Sequence, residues 1–105
     1  MIHIPLHCAP THPGEILVEE FLIPLNITQR ELADSIHVSY QRINELVNKR
    51  RGVTPDTALR LGRFFGVSAY FWLNLQMRWD LHQTEQCENQ ELAEILNYQQ
   101  LAKSG

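Results

Sequence analysis

Between residues 28 and 48, TQRELADSIHVSYQRINELVN, hydrophobic and polar positions repeat at helical spacing in two short runs separated by three residues. In the first run Leu32, Ala33 and Ile36 recur on one face, as a rotation of about 100° per residue requires. Thr28 stands at its start with Glu31 three residues on, a T-x-x-E box whose two side chains satisfy backbone donors otherwise left free. Ala33 is small where a second helix has to cross closely. In the second run Ser39 is a natural N-cap, Ile43, Leu46 and Val47 form the inner face, and Val38 is an apolar plug after the turn.

The outward side of the second run carries Tyr40, Gln41, Asn44 and Asn48, with Arg42 and Glu45 at its flanks. Amides, a phenol, a guanidinium and a carboxylate are groups that read base edges, since an amide both donates to and accepts from adenine. Taken alone, a polar outer face is what any solvated helix shows. Helix, three-residue turn, helix, with a small residue in the first and an apolar residue after the turn, is more specific: it is the helix-turn-helix arrangement, which lays its second helix in the major groove.

The flanking pattern supplies four further helices. Pro13 suits a first turn, Ile16, Leu17 and Phe21 form an apolar stripe, Pro24 is expected to end the run, and Glu15, Glu19 and Glu20 form its solvated face. Thr54-Pro55-Asp56 starts another helix, with Ala58, Leu59, Leu61 and Phe65 as the expected buried side and Gly66 as the stop. Arg60 and Arg63 fall outside that stripe, as surface charge. Ser68 opens a fifth helix running to Gln83, in which Phe71, Trp72, Leu75 and Trp79 cover one side and Leu73, Met77 and Leu81 roughly the opposite one. A domain this small covers one such face, so the second needs the C-terminal segment or another chain. From Glu85 the chain turns acidic and Gln-rich and ends in a helix with Leu92, Ile95, Leu96 and Ala102 on one face. Leu73, Met77, Leu81, Leu92, Ile95 and Leu96 are therefore the expected homodimer interface. The expected architecture is all-α: an extended arm over 1–12, a five-helix domain over 13–84, and an acidic C-terminal helix or tail over 85–105.

Composition sharpens this in three respects. At 105 residues the chain suits one domain with a modest core. The net charge of −3 is segregated: residues 28–63 hold seven cations against four carboxylates, a balance of +3, while residues 1–27 and 85–105 each carry −3. Within the basic middle, Lys49-Arg50-Arg51 leaves the second helix of the motif, where a helix dipole favours cations and DNA phosphates lie within reach; with Asn48 these are expected phosphate contacts. Cys8 and Cys87 lie near opposite ends with no apolar leader, which fits a reduced, cytoplasmic protein, and no apolar run reaches the ~20 residues that span a bilayer. His3, His7, Cys8 and His12 match no standard zinc spacing, and Pro5 and Pro10 hold their segment open. No nucleophile and base, phosphate loop or paired carboxylates emerge, so no enzyme, metal or cofactor is expected.

Pro13-Gly14-Glu15-Ile16-Leu17, Thr28-Gln29-Arg30-Glu31-Leu32-Ala33, Val38-Ser39, Val53-Thr54-Pro55-Asp56-Thr57-Ala58-Leu59-Arg60-Leu61 and Phe71-Trp72-Leu73-Asn74-Leu75-Gln76 together resemble the HigA antitoxins, also called virulence-associated protein I, within the Cro-like (XRE, lambda repressor-like) helix-turn-helix class. The likeness covers about residues 13–82. It implies a dimeric protein that binds a palindromic operator in double-stranded DNA, represses its own operon and neutralises a HigB/RelE-like, ribosome-dependent mRNA-cleaving toxin. By similarity to Cro-like repressors, Gln29 and Ser39 match phosphate-holding positions, and Tyr40, Gln41, Arg42 and Glu45 match the base-facing side. His37 stands where the class often has glycine, a position expected to need φ > 0. Two other readings fit the same residues: a stand-alone dimeric repressor without a toxin, and a protein-interaction module with a vestigial helix-turn-helix.

Overall fold

The computed structural model describes residues 9–104, with side chains described as far as Ala102. His3, His7 and Cys8, and with them most of the expected arm, lie outside the described residues. Six helices follow one another, with no strand among the described residues. The first, α1, is built of three contiguous segments, Pro13–Ile16, the π-helical Leu17–Leu22, and Ile23–Leu25. Then come α2 (Gln29–Ile36), α3 (Tyr40–Val47), α4 (Pro55–Phe65), α5 (Ala69–Ala93) and α6 (Tyr98–Ser104).

The caps explain most of the boundaries. Thr28 Oγ1 accepts from Glu31 N–H at 3.0 Å and Glu31 Oε1 accepts from Thr28 N–H at 3.1 Å, the expected reciprocal box. Ser39, Thr54 and Ser68 cap α3, α4 and α5 with their hydroxyls. His37 ends α2 in the left-handed region at φ 60°, and Gly66 ends α4 at φ 73°. Pro24 does not end α1. Over Leu17–Leu22 the bonding widens, Ile23 N–H reaches Val18 O, and Pro24 falls in the first turn of the following segment, where a missing N–H costs nothing. The helix stops instead at left-handed Asn26, φ 56°.

Leu17, Leu32, Ile43, Leu46, Leu61 and Trp72 are fully buried where α1, α2, α3, α4 and the start of α5 converge. Phe21, Phe65, Phe71 and Trp72 stack around one another with centroids 4.7–6.3 Å apart, within the range of favourable aromatic pairs. Gly14 lets α1 approach the end of α3: a Cβ built there would stand 1.9 Å from Leu46 O. The burial of α4 differs from the expected stripe. Leu59 is 65% exposed and Thr57 is buried in its place, because Thr57, Ala58 and Leu61 centre the inner face and Leu59 falls on the far side of the helix.

The C-terminal part also differs. The fifth helix continues past Gln83 to Ala93 as two helical stretches that meet at a kink, where Glu88 is non-helical (φ −113°, ψ 16°). A second reciprocal cap, Asn97 Oδ1 with Gln100 N–H at 2.9 Å and Gln100 Oε1 with Asn97 N–H at 3.0 Å, starts α6. Leu92 thus sits on α5, Ile95 and Leu96 in the connection, and Ala102 on α6; they do not share one helical face. All four are exposed, and the molecule extends 60 Å along its long axis against 26 and 22 Å across.

Candidate nucleic-acid interface

The second helix of the motif, α3, is held by its buried Ile43 and Leu46, with Val47 half-buried against the core. Tyr40 and Gln41 are exposed, and Arg42, Asn44 and Glu45 are half-buried. Each takes part in a local network. Arg30 lies over the Tyr40 ring at 4.8 Å, a cation–π contact. Asn44 Nδ2 donates to Gln29 Oε1 at 3.2 Å, tying the first residue of α2 to the middle of α3. Gln41 Nε2 approaches Glu45 Oε2 at 3.4 Å, and Arg51 donates through Nε and Nη2 to Glu45 Oε1 at 3.1 and 2.9 Å. Those bonds, that from Arg51 foremost, hold the Glu45 carboxyl below its ordinary pKa of 4.5. Arg42 donates to Asp56 at 3.0 Å.

The expected phosphate contacts occupy the margins of the same helix. The Ser39 hydroxyl accepts from Arg42 N–H at 3.1 Å, as a cap. Asn48 Nδ2 donates to Asn44 O at 2.8 Å and so closes the C-terminal end. Lys49 turns the chain at φ 63° and its Nζ lies 3.6 Å from Glu15 Oε1. Arg50 and Arg51 follow on the exposed turn. Gln29, Ser39, α3 and residues 48–51 therefore form one continuous polar margin, amide-rich at its centre and cationic at its end.

Several residues that sequence reasoning treated as background position this margin. Arg60, read as surface charge, pairs with Asp56 at 3.0 Å and donates to Ile36 O and His37 O at 2.8 and 3.3 Å. The i,i+4 spacing of Asp56 and Arg60 was the available signal. Gln76 Oε1 accepts from Val53 N–H at 2.7 Å while its Nε2 donates to Asp80 at 2.8 Å, pinning the loop after α3 to α5. His12, read as part of an open arm, is buried and caps α1, its Nδ1 accepting from Gly14 N–H at 2.9 Å. Its ring meets Trp79 edge-on at 5.0 Å. Among the described residues no three His, Cys, Asp or Glu side chains stand together as a metal site, and no helix is long and apolar enough to cross a membrane.

Of the expected dimer residues, Met77, Leu81, Leu92, Ile95 and Leu96 are exposed in the single chain, whereas Leu73 is half-buried against its own core.

A helix-turn-helix family model matches residues 18–72, the span from α1 into the first turn of α5. Virulence-associated protein I of Dichelobacter nodosus is 55% identical over 75 residues, covering 71% of this chain and 69% of that protein. Antitoxin HigA-1 of Vibrio cholerae is 38% identical over 76 residues, covering 71% of this chain and 70% of that protein. The chain belongs to the HigA family of helix-turn-helix antitoxins. Solved structures of HigA proteins have the same fold. The Pseudomonas aeruginosa antitoxin HigA, determined with the higBA promoter, is 40% identical with a TM-score of 0.82, over 85% of this chain and 98% of that one. An addiction-module antidote protein of the HigA family from Coxiella burnetii is 36% identical with a TM-score of 0.81, over 87% and 100%. The likeness covers more of the chain than the helix-turn-helix model does.

Proposed function

We propose that this HigA-family chain binds a palindromic operator in double-stranded DNA as a homodimer, represses its own operon, and neutralises a HigB/RelE-like mRNA-cleaving toxin. The supporting observation is α3: a short helix anchored by two buried residues, with Tyr40, Gln41, Arg42, Asn44 and Glu45 on its accessible side and Lys49, Arg50 and Arg51 at its end. Base-edge groups at the centre with cations at the margin match the division between specifying and positioning contacts in DNA readers. The Pseudomonas HigA with its promoter supports the same reading. The exposed apolar residues of α5 give a second copy a surface to cover, and dimeric readers of this class set their helices about 34 Å apart, one DNA turn.

The test is co-expression of this chain with the product of its neighbouring gene, only one of the two tagged, together with binding to the DNA upstream of the pair. Recovery of both proteins and retention of the upstream fragment is the expected outcome. Retention of the fragment without a co-purifying partner would leave a stand-alone dimeric repressor; loss of both would overturn the proposal.

A further inference from the structure

We propose that Asp56 is a positioning residue for DNA specificity: it withholds the Arg42 guanidinium from unselective phosphate contact and presents it to a base edge in one orientation. The inference rests on the DNA-binding reading above and adds a residue outside the helix-turn-helix to it.

Arg42 lies in the first turn of α3 and Asp56 in the first turn of α4, with Nη1 3.0 Å from Oδ2. An exposed pair of this kind is ordinarily loose and contributes little. Here the carboxylate is fastened from the other side. Arg60 Nε donates to Oδ1 at 3.0 Å and Oδ2 at 3.1 Å, and Arg60 Nη1 continues to the Ile36 carbonyl at 2.8 Å and the His37 carbonyl at 3.3 Å. These are the open carbonyls at the end of α2, so the chain Arg42–Asp56–Arg60 is anchored in the backbone of the turn itself. Both guanidinium groups stabilise the ionised carboxylate, Arg60 more than Arg42, and its pKa lies below the ordinary 3.8; the clamp stays charged at neutral pH.

A guanidinium carries five N–H donors in a planar fork. With Nη1 committed to Asp56, Nε and Nη2 remain without a partner among the described residues. That is one edge of the fork, the edge able to meet guanine O6 and N7 together. The carboxylate, meanwhile, offsets one of the two positive charges in the Arg42–Asp56–Arg60 chain, which removes about one phosphate's worth of counterion release from binding to any sequence. Wrong sequences lose an attraction, while the right base finds a donor edge already oriented.

Wild type, Asp56→Asn, Arg42→Ala and the double variant would be titrated, over a range of salt, against the duplex that wild type enriches from a randomised pool and against a scrambled duplex of the same length. Asp56→Asn is expected to bind the scrambled duplex about 5-fold more tightly at about 0.15 M salt and to steepen its salt slope by about 0.9. The selected duplex should gain less, so the ratio falls. In the Arg42→Ala background the same substitution should do neither, and Asp56→Glu, which keeps the charge, should stay near wild type. An unchanged ratio and slope in Asp56→Asn would overturn the clamp while leaving the DNA reading intact. An equal change in the Arg42→Ala background would overturn it too, reducing Asp56 to a repulsive charge. A wild type with no salt-dependent binding to either duplex would overturn the DNA reading itself, and the clamp with it.

Discussion

Both α3 and the stretch of α5 beyond Leu75 carry apolar residues at helical intervals, and their fates are opposite. In α3, Ile43 and Leu46 are fully buried beneath α1 and α2. In α5, Trp72 and Leu75 are buried, but Met77, Leu81 and Leu92 are 53%, 55% and 41% exposed, because the helix outruns the elements packed against it. Periodicity states which residues a helix offers for burial; neighbours decide whether burial occurs. The proximal region is finished within one chain, and the distal region is not.

The strongest way to break that comparison is truncation on each side of it. Leu46→Ala should cost about 3 kcal/mol of unfolding free energy in urea, as fully buried leucines do. Gly14→Ala should cost a similar amount, about 3 kcal/mol, since its Cβ would meet the Leu46 carbonyl and backbone must move. Leu92→Ala, measured at dilute protein, should stay within about 0.5 kcal/mol. A loss at Leu92 matching that at Leu46 would mean that the distal helix is covered within the single chain after all.

The same contrast explains what was legible in the sequence. Where a boundary is written by adjacent residues, as at Thr28 with Glu31, Ser39, Thr54 with Pro55, and Gly66, the structure has it where the sequence implies. The left-handed turn at His37, φ 60°, stands where the resemblance to the Cro-like class, whose turn often has glycine there, implies it. What escaped depends on partners far along the chain or on a tolerance invisible in the residues. Arg60 looks like surface charge until the end of α2 is set beside it, and His12 looks like part of an open arm until Trp79 arrives. Pro24 reads as a stop unless a π-helical segment moves it to a first turn. Leu59 stands next to the buried stripe of α4 without being on it. The Asn97–Gln100 box is a local signal of the Thr28–Glu31 kind, set in an acidic, Gln-rich segment whose composition alone does not mark a helix start.

The outer faces differ in kind as well, and DNA binding should show it. Gln41→Ala is expected to lose about 1–3 kcal/mol of discrimination at one base pair per half-site with little change in stability. Lys49→Ala or Arg50→Ala should weaken all sequences alike and flatten the salt slope by about 0.9 each. Leu96→Ala should alter neither quantity directly, acting only through the protein concentration at which binding sets in. Equal effects of Gln41 and Lys49 on selected and scrambled DNA would remove the division of labour assigned to α3 and its margin.

Caps give a smaller version of the comparison. Thr28→Ala removes one half of a box that starts the first helix of the motif and should cost about 1 kcal/mol of global stability. Asn97→Ala removes the same chemistry from α6, whose described side chains, residues 98–102, are all exposed. Its effect should be confined to faster amide exchange near residues 98–101, with the urea midpoint unmoved.

The smallest effect expected is a pH dependence that runs across the boundary between the two regions, through His12. Its ring caps α1 and rests against Trp79 of α5, and its pKa is lowered from 6.5 by burial first and by the Lys49 charge second, against weaker upward pulls from Asp80 and Glu15. With the folded value below the unfolded one, both states are neutral above the unfolded pKa and this group adds no pH dependence there. As pH falls below it, the unfolded chain takes up the proton first, so stability declines until pH reaches the folded value and is level beneath it. Protonation would bring a buried cation near Lys49, and a protonated Nδ1 could no longer accept the Gly14 N–H. Urea midpoints between about pH 7.5 and about pH 5.5 should therefore fall more steeply for wild type than for His12→Asn, whose amide caps without titrating in that window. Comparing the two proteins cancels the remaining histidines, and parallel curves would show that the ring's burial carries no linkage to folding.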